Sequence, residues 1–298
     1  MDKCKVVCLT HTIAIEHDIH SLNKNIDYVY LNDKQQIPKI IHYCWFGGKE
    51  MSPFVKKCVQ TWAERMPDYE LRLWDAHSFD FDSVSFVREA YQAKKWAFVA
   101  DYVRLYALYT EGGIYMDTDV KVMKSFTPFL NYDFFTSHEV HPFFFEETEQ
   151  CKIGQDMKPL NPNDLIEGFG VLSAVMGSVS GLPYLKECLD YYNTLHFDLE
   201  HHSKDDYTIG KHITRLILKY GYRFVDEDQL LNHNMMLMNS SVIVGNAIYL
   251  KKDSYAIHLC NGSWTDSGDD FNYWLRNNYP RIYSVWGLSL IHISEPTR

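Results

Sequence analysis

A chain of 298 residues that is 46% hydrophobic and 15% aromatic can bury a large core, and its net charge of −10 argues against a nucleic-acid surface, which needs clustered Lys and Arg. No apolar run approaches the roughly 20 residues of a membrane span, and the N-terminus lacks the pattern of a signal peptide. Seven cysteines at irregular spacing, with no Cys-x-x-Cys, point to reduced thiols in a cytoplasm.

In chain order, Val6–Thr10 and Asp27–Leu31 are short strand candidates within an N-terminal extension, residues 1–36, of unassigned role. Lys39–Cys44 then reads as a buried strand closed by the turn Gly47-Gly48, which leaves Trp45 at the strand's carboxyl end. His42, inside that strand, is expected to be a hydrogen-bonded core residue. A helix over Pro53–Arg65, with Phe54, Cys58, Val59 and Trp62 on one side, leads to the alternating strand Tyr69–Trp74. Strand, helix and strand within about 35 residues form a βαβ unit and imply a parallel sheet.

Helices over Ser83–Gln92 and Trp96–Tyr109 follow. The second is apolar apart from Asp101 and Arg104, which are three apart and so share a face. Burying a charged pair on an apolar stripe is costly unless the two are partnered; a local ion pair is the simplest explanation. The pair Gly112-Gly113 ends this helix in the left-handed region. Ile114-Tyr115-Met116 then forms a short buried strand, and Asp117 and Asp119 emerge at its end. In extended chain, residues two apart point the same way, so both carboxylates are expected to converge on one point. A hard divalent cation, Mn2+ or Mg2+, would relieve their repulsion. An isolated Asp-x-Asp also reads as a solvated turn.

Further on, a turn at Phe126–Leu130, a strand at Tyr132–Ser137, an aromatic loop from Phe143 to Asn163, and a single strand over Gly170–Gly177 are expected. Helices at Leu182–Tyr192 and Lys211–Tyr220 come next, and then two short strands within Ala247–Trp264, the second ending at His258.

The block Ala100-Asp-x-x-Arg104 followed by Glu111-Gly-Gly-Ile-Tyr-Met-Asp-Thr-Asp119 resembles the core signature of the Asp-x-Asp sugar-nucleotide glycosyltransferases of family 32. This group contains bacterial capsular polysaccharide glycosyltransferases and the yeast initiation mannosyltransferase; the large clostridial glucosylating toxins carry a similar block. The resemblance runs from about Ile37 to Trp264. It implies an α/β fold of the GT-A nucleotide-sugar type, with a mixed, mostly parallel sheet and helices on both sides. One catalytic domain, 37–287, is expected, because no linker-like composition divides it. Residues 288–298 resemble the translation of a transposase adapter used in DNA sequencing, and are expected to be foreign to the fold.

The resemblance also implies roles. Asp117 and Asp119 would be metal and diphosphate ligands, with His258 as a third metal ligand. Asp101 and Arg104 would contact the donor sugar, and Glu167 is a candidate beside them. Trp45 would stack on the base, with Tyr115, Ser263 and Trp264 also on the donor. The implied reaction is metal-dependent, retaining transfer of a sugar from a nucleoside-diphosphate donor to a glycan or lipid-linked acceptor, in capsular or cell-surface polysaccharide synthesis at the inner face of a membrane. A core packing role for Trp45, a satisfied strand histidine at 258 and a packing anchor at Trp264 are the plainer readings. A haloacid-dehalogenase-like phosphatase using Asp117 as nucleophile, or a sugar-binding protein without activity, are the other functional classes.

Overall fold

The computed structural model describes residues 36–260, which belong to one compact unit. The extension at 1–36 apart from Gln36, the tail at 288–298, Ser263 and Trp264 lie outside the described residues.

The βαβ unit is present as expected. Strand β1 (Ile40–Cys44) runs into helix α1 (Pro53–Arg65), with Pro53 in the first turn and Ser52 Oγ accepting from Val55 N–H at 3.3 Å. The chain returns as β2 (Glu70–Trp74), parallel to β1 with Ile40 opposite Glu70. As the sheet's edge strand, β2 leaves Leu71 and Leu73 exposed and so buries less of its alternating pattern than a central strand would. Helices α2 (Ser85–Gln92) and α3 (Trp96–Glu111) follow, and then β3 (Gly113–Met116), parallel to β1.

Glycine at 112 and 113 is required by both conformation and space. Gly112 has φ +69 and ψ −177, a region essentially closed to other residues rather than the left-handed helical one expected, and Gly113 has φ +114. A Cβ on Gly113 would stand 2.7 Å from the carbonyl oxygen of Ile40.

After β4 (Val120–Val122) come β5 (Phe134–Val140), β6 (Phe169–Val171) and β7 (Val175–Ser178). The single strand expected over Gly170–Gly177 is thus two, broken at Leu172-Ser173-Ala174. Strand β6 pairs with the end of β5, whereas β7 lies between β3 and β5, and one straight strand cannot reach both. Helices α4 (Pro183–Asn193) and α5 (Ile209–Ile217) precede β8 (Gln229–Leu231), β9 (Met235–Met238), β10 (Ile243–Val244) and β11 (Ala256–His258). Of the two strands expected in Ala247–Trp264, the first is a 3-10 turn at Ala247–Tyr249.

The main sheet has the order β2-β1-β3-β7-β5-β9-β8, with β6 added beside β5, and a smaller sheet has the order β10-β11-β4. The pairings put β2, β1, β3, β5 and β9 in one direction and β6, β7 and β8 in the other. The sheet is thus mixed and mostly parallel, as the sequence leads us to expect of an α/β fold. One apolar cluster joins α2, α3, α4 and α5 to the sheet, and another lies between β1, β3, β4 and α1. Trp62 of α1 anchors β4, donating from Nε1 to the carbonyl of Val120 at 2.8 Å. His42 is buried as expected: Trp74 Nε1–H donates to its Nδ1 at 3.0 Å, which leaves Nε2–H to donate to the carbonyl of Gly112 at 2.8 Å. No helix of the described residues is long and apolar enough to cross a membrane.

Candidate active site

Because β1, β3 and β5 run the same way, their carboxyl ends lie along one edge of the sheet, where ligands bind in open α/β sheets. Trp45 follows β1, Asp117 follows β3, and Glu139 and His141 stand at the end of β5.

Asp117 and Asp119 are not in extended chain. Val120 N–H donates to Asp117 O at 3.0 Å and closes a tight turn, so the two carboxylates take different partners. Asp117 accepts from Tyr115 Oη–H at 2.8 Å and faces the guanidinium of Arg104 at 3.4 to 3.5 Å. Asp119 Oδ1 is 3.2 Å from His258 Nε2, delivered by β11, which pairs antiparallel with β4 so that His258 lies opposite Val120.

Arg104 is the hub of the Asp117 side. It is only 5% exposed, and Asp101 7%. Nη2–H donates to Asp101 Oδ1 at 2.7 Å and Nη1–H to the carbonyl of Ser173 at 2.9 Å, while the guanidinium lies 4.7 Å from the centre of the Tyr115 ring. The local Asp101–Arg104 ion pair therefore exists, but it is buried and continues to Asp117. The break between β6 and β7 turns the Ser173 carbonyl towards Arg104, and the next one, Ala174, accepts from Asp117 N–H at 2.8 Å. One cation between two carboxylates leaves a buried anion partly unmatched. Burial pushes the Asp101 carboxyl up to about 7, against the pull of Arg104 and with the help of Asp117.

The His258 ring is pulled in opposite directions. Burial would lower its pKa, but Cys260 and Asp119 beside it carry it well above the ordinary value. Cys260 Sγ lies 3.4 Å from Nδ1, on the far side of the ring from Asp119.

The fit to a divalent cation can be judged from spacing. Two ligand atoms each about 2.1 Å from one ion and roughly at right angles are about 3 Å apart, and Asp119 Oδ1 and His258 Nε2 are 3.2 Å apart. Asp117 does not join them. Among the described residues, the one trio of His, Cys, Asp or Glu whose ligand atoms lie within 4.8 Å of one another is Asp198, Glu200 and His201. That group is a local turn, in which the Asp198 carboxylate accepts from Glu200 N–H and pairs with the His201 ring. An oxygen and nitrogen donor pair at ligand spacing, beside a second carboxylate, suits Mn2+ or Mg2+.

Two residues expected to contact the donor are engaged by groups of the protein itself. Tyr115 is 1% exposed, because β3 is covered on both faces, and its hydroxyl serves Asp117 rather than a ligand. Glu167 is a surface residue paired with Lys211, while its backbone N–H donates to Glu149 Oε2 at 2.8 Å. Trp45 is half-buried at the strand end, its Nε1–H donating to the carbonyl of Lys49 at 2.6 Å. The residues that sequence reasoning passed over are Glu139, His141 and Cys260, while Ser173, near which the resembled family carries Asn or Asp, joins the site through its backbone carbonyl. Their place is set by strand pairing between segments distant in the chain.

Residues 52–138 match the family described as the glycosyltransferase sugar-binding region containing a DXD motif. The chain carries this DXD-type glycosyltransferase region. Asp101, Arg104, Asp117 and Asp119 fall within the match, and Trp45, Glu139 and His258 outside it. Inositol phosphoceramide mannosyltransferase 3 of Schizosaccharomyces pombe is 33% identical over 111 residues, a stretch covering 35% of this chain and 30% of the yeast protein. The chain thus spans about a third of that relative's length. Among solved structures, the PaToxG glycosyltransferase aligns with a TM-score of 0.43 at 16% identity, covering 62% of this chain and 70% of the other. The galactosyltransferase LgtC aligns with a TM-score of 0.39 at 13% identity, covering 87% of this chain and 98% of the other.

Proposed function

We propose that this protein is a metal-dependent glycosyltransferase that moves a sugar from a nucleoside-diphosphate donor to a hydroxyl of a glycan or lipid-linked acceptor. The observation that carries this reading is the set of groups at one sheet edge: Asp119 beside His258, and Asp117 tied to the buried Arg104–Asp101 pair. In the reaction, the acceptor oxygen bonds to the anomeric carbon as that carbon's bond to the diphosphate breaks. The diphosphate leaves with the electron pair, and the acceptor's proton passes to the leaving phosphate or to water.

A divalent cation held by Asp119 and His258 would offset the charge that grows on the diphosphate as it leaves. Arg104 and Asp101 offer charged hydrogen bonds to the sugar hydroxyls and the diphosphate. Trp45 offers a flat face at the end of β1 for the base. The mannosyltransferase named above supports a hexose donor. Capsular or cell-surface polysaccharide assembly in the cytoplasm, on a membrane-bound acceptor, is the setting we infer, and retention at the anomeric carbon goes with the resemblance.

The test is a thermal-shift screen of sugar nucleotides with Mn2+, followed by release of nucleoside diphosphate with and without acceptor. Acceptor-stimulated release supports transfer. Release of inorganic phosphate without any acceptor would instead identify a phosphatase, a reading that the occupied Asp117 carboxylate disfavours in a nucleophile. Binding without release would identify a sugar-binding protein.

A further inference from the structure

The end of β5 holds a carboxylate that the donor-side machinery does not use. Glu139 lies on the same strand face as Ser137, whose Oγ accepts from Ile243 N–H at 3.0 Å, so Glu139 faces the smaller sheet that brings His258. Its Oε1 takes a hydrogen bond from His141 Nε2 at 3.1 Å. Asn246 fixes that arrangement: its Oδ1 accepts from Ile248 N–H at 3.2 Å, so its amide faces His141 Nδ1 at 3.3 Å and leaves the ring proton on Nε2.

Backbone without side chains closes in around Glu139. A Cβ on Gly245 would stand 3.2 Å from its Cγ, and one on Gly210 would stand 4.0 Å from its Oε2. Burial pushes the Glu139 carboxyl up, but the hydrogen bond from His141 and the charges of His258 and Arg104 carry it below the ordinary range. Gly245, packed on Glu139, has its carbonyl 3.8 Å from Cys260 Sγ, which in turn lies 3.4 Å from the His258 ring, so an oriented carboxylate, still 26% exposed, stands beside the site and is built to accept hydrogen bonds from a ligand.

The chain beyond His141 says which ligand. Phe143 and Phe144 are 58% and 65% exposed, and the Phe144 ring lies 6.1 Å, centre to centre, from the His141 ring. Exposed aromatic rings beside a partly exposed carboxylate suit a pyranose, which presents an apolar C–H face and hydroxyl edges at once. Resting on the glycosyl-transfer reading, we propose that Glu139, held by His141, binds the incoming hydroxyl of a pyranoside acceptor that enters across Phe143 and Phe144.

The experiment compares wild type, Glu139→Gln and Phe144→Ala, each with Mn2+ and GDP-mannose, UDP-glucose or UDP-galactose. Nucleoside diphosphate release is followed in water alone and with methyl α-mannoside, methyl β-glucoside or methyl β-galactoside, and thermal unfolding is recorded for each variant. Glu139→Gln should keep the wild-type thermal shift given by donor and Mn2+ and lose glycoside-stimulated release by roughly 10- to 100-fold, the size of a lost hydrogen bond to a charged group. Phe144→Ala should raise the glycoside concentration for half-maximal stimulation several-fold, with the stimulated rate at saturating glycoside held near that of the wild type. The proposal is overturned if Glu139→Gln keeps wild-type stimulation by the glycosides, if it loses the thermal shift given by donor and Mn2+ along with that stimulation, or if no methyl glycoside stimulates the wild type. A wild type that releases no nucleotide from any donor would instead sink the glycosyl-transfer reading itself.

Discussion

Asp119 Oδ1 and His258 Nε2 stand 3.2 Å apart although well over a hundred residues separate them, because β11 pairs with β4 directly after the Asp-x-Asp turn. If they share a divalent cation, His258→Ala should raise the Mn2+ concentration for half-maximal rate at least about tenfold, worth about 1.4 kcal/mol. Nucleotide binding at high metal should survive. A protonated imidazole cannot ligate, and this ring's pKa is raised above 6.5. The Mn2+ requirement should therefore climb as pH falls, with the climb beginning above 6.5. A Mn2+ titration at several pH values checks both statements.

Asp117→Asn and Asp119→Asn should each abolish transfer while the protein stays folded. The two should differ in how they fail. Asp119→Asn should lose the thermal shift caused by Mn2+ alone, whereas Asp117→Asn should largely retain it, because the Asp117 carboxylate is engaged by Arg104 and Tyr115. An equal loss of Mn2+ response in both would show that Asp117 ligates the ion directly.

Asp101 gives a pH dependence of stability with a definite sign. Its pKa in the fold is about 7, above the 3.8 of the unfolded chain, so its contribution is fully present below 3.8 and is lost as pH rises through 7. Wild type should therefore lose stability through this group between about pH 4 and 7, and Asp101→Asn should flatten that part of the profile. Urea unfolding at pH 5 and pH 7.5 measures the difference.

Gly113→Ala should destabilise by at least about 1 to 3 kcal/mol, since alanine must adopt φ +114 and its Cβ would press on the carbonyl of Ile40. Denaturant unfolding checks it; an unchanged midpoint would mean the β3 entry relaxes freely.

Trp45→Ala should weaken nucleotide binding by about 1 to 3 kcal/mol if the ring stacks on the base. Isothermal titration of nucleoside diphosphate in Mn2+ measures this directly. Unchanged affinity in a folded variant would return Trp45 to a packing role.

The chain itself determined the local pieces. Pro53 and Ser52 set the start of α1, glycine at 112 and 113 set the only backbone that can leave α3 and enter β3, and the apolar run of α3 with Asp101 and Arg104 on one face marked a charged pair inside a core. These signals act over a few residues through sterics and periodicity, so they can be read without the rest of the molecule. Tertiary structure decided what those groups face. The split of Gly170–Gly177 into β6 and β7, which gives Arg104 the Ser173 carbonyl, follows from which strands β5 and β3 accept as neighbours. The burial of Tyr115, the pairing of Glu167 with Lys211 and the presence of Glu139 at the site's edge have the same origin. Strand pairing joins segments far apart in the chain, and no local pattern encodes which two will meet.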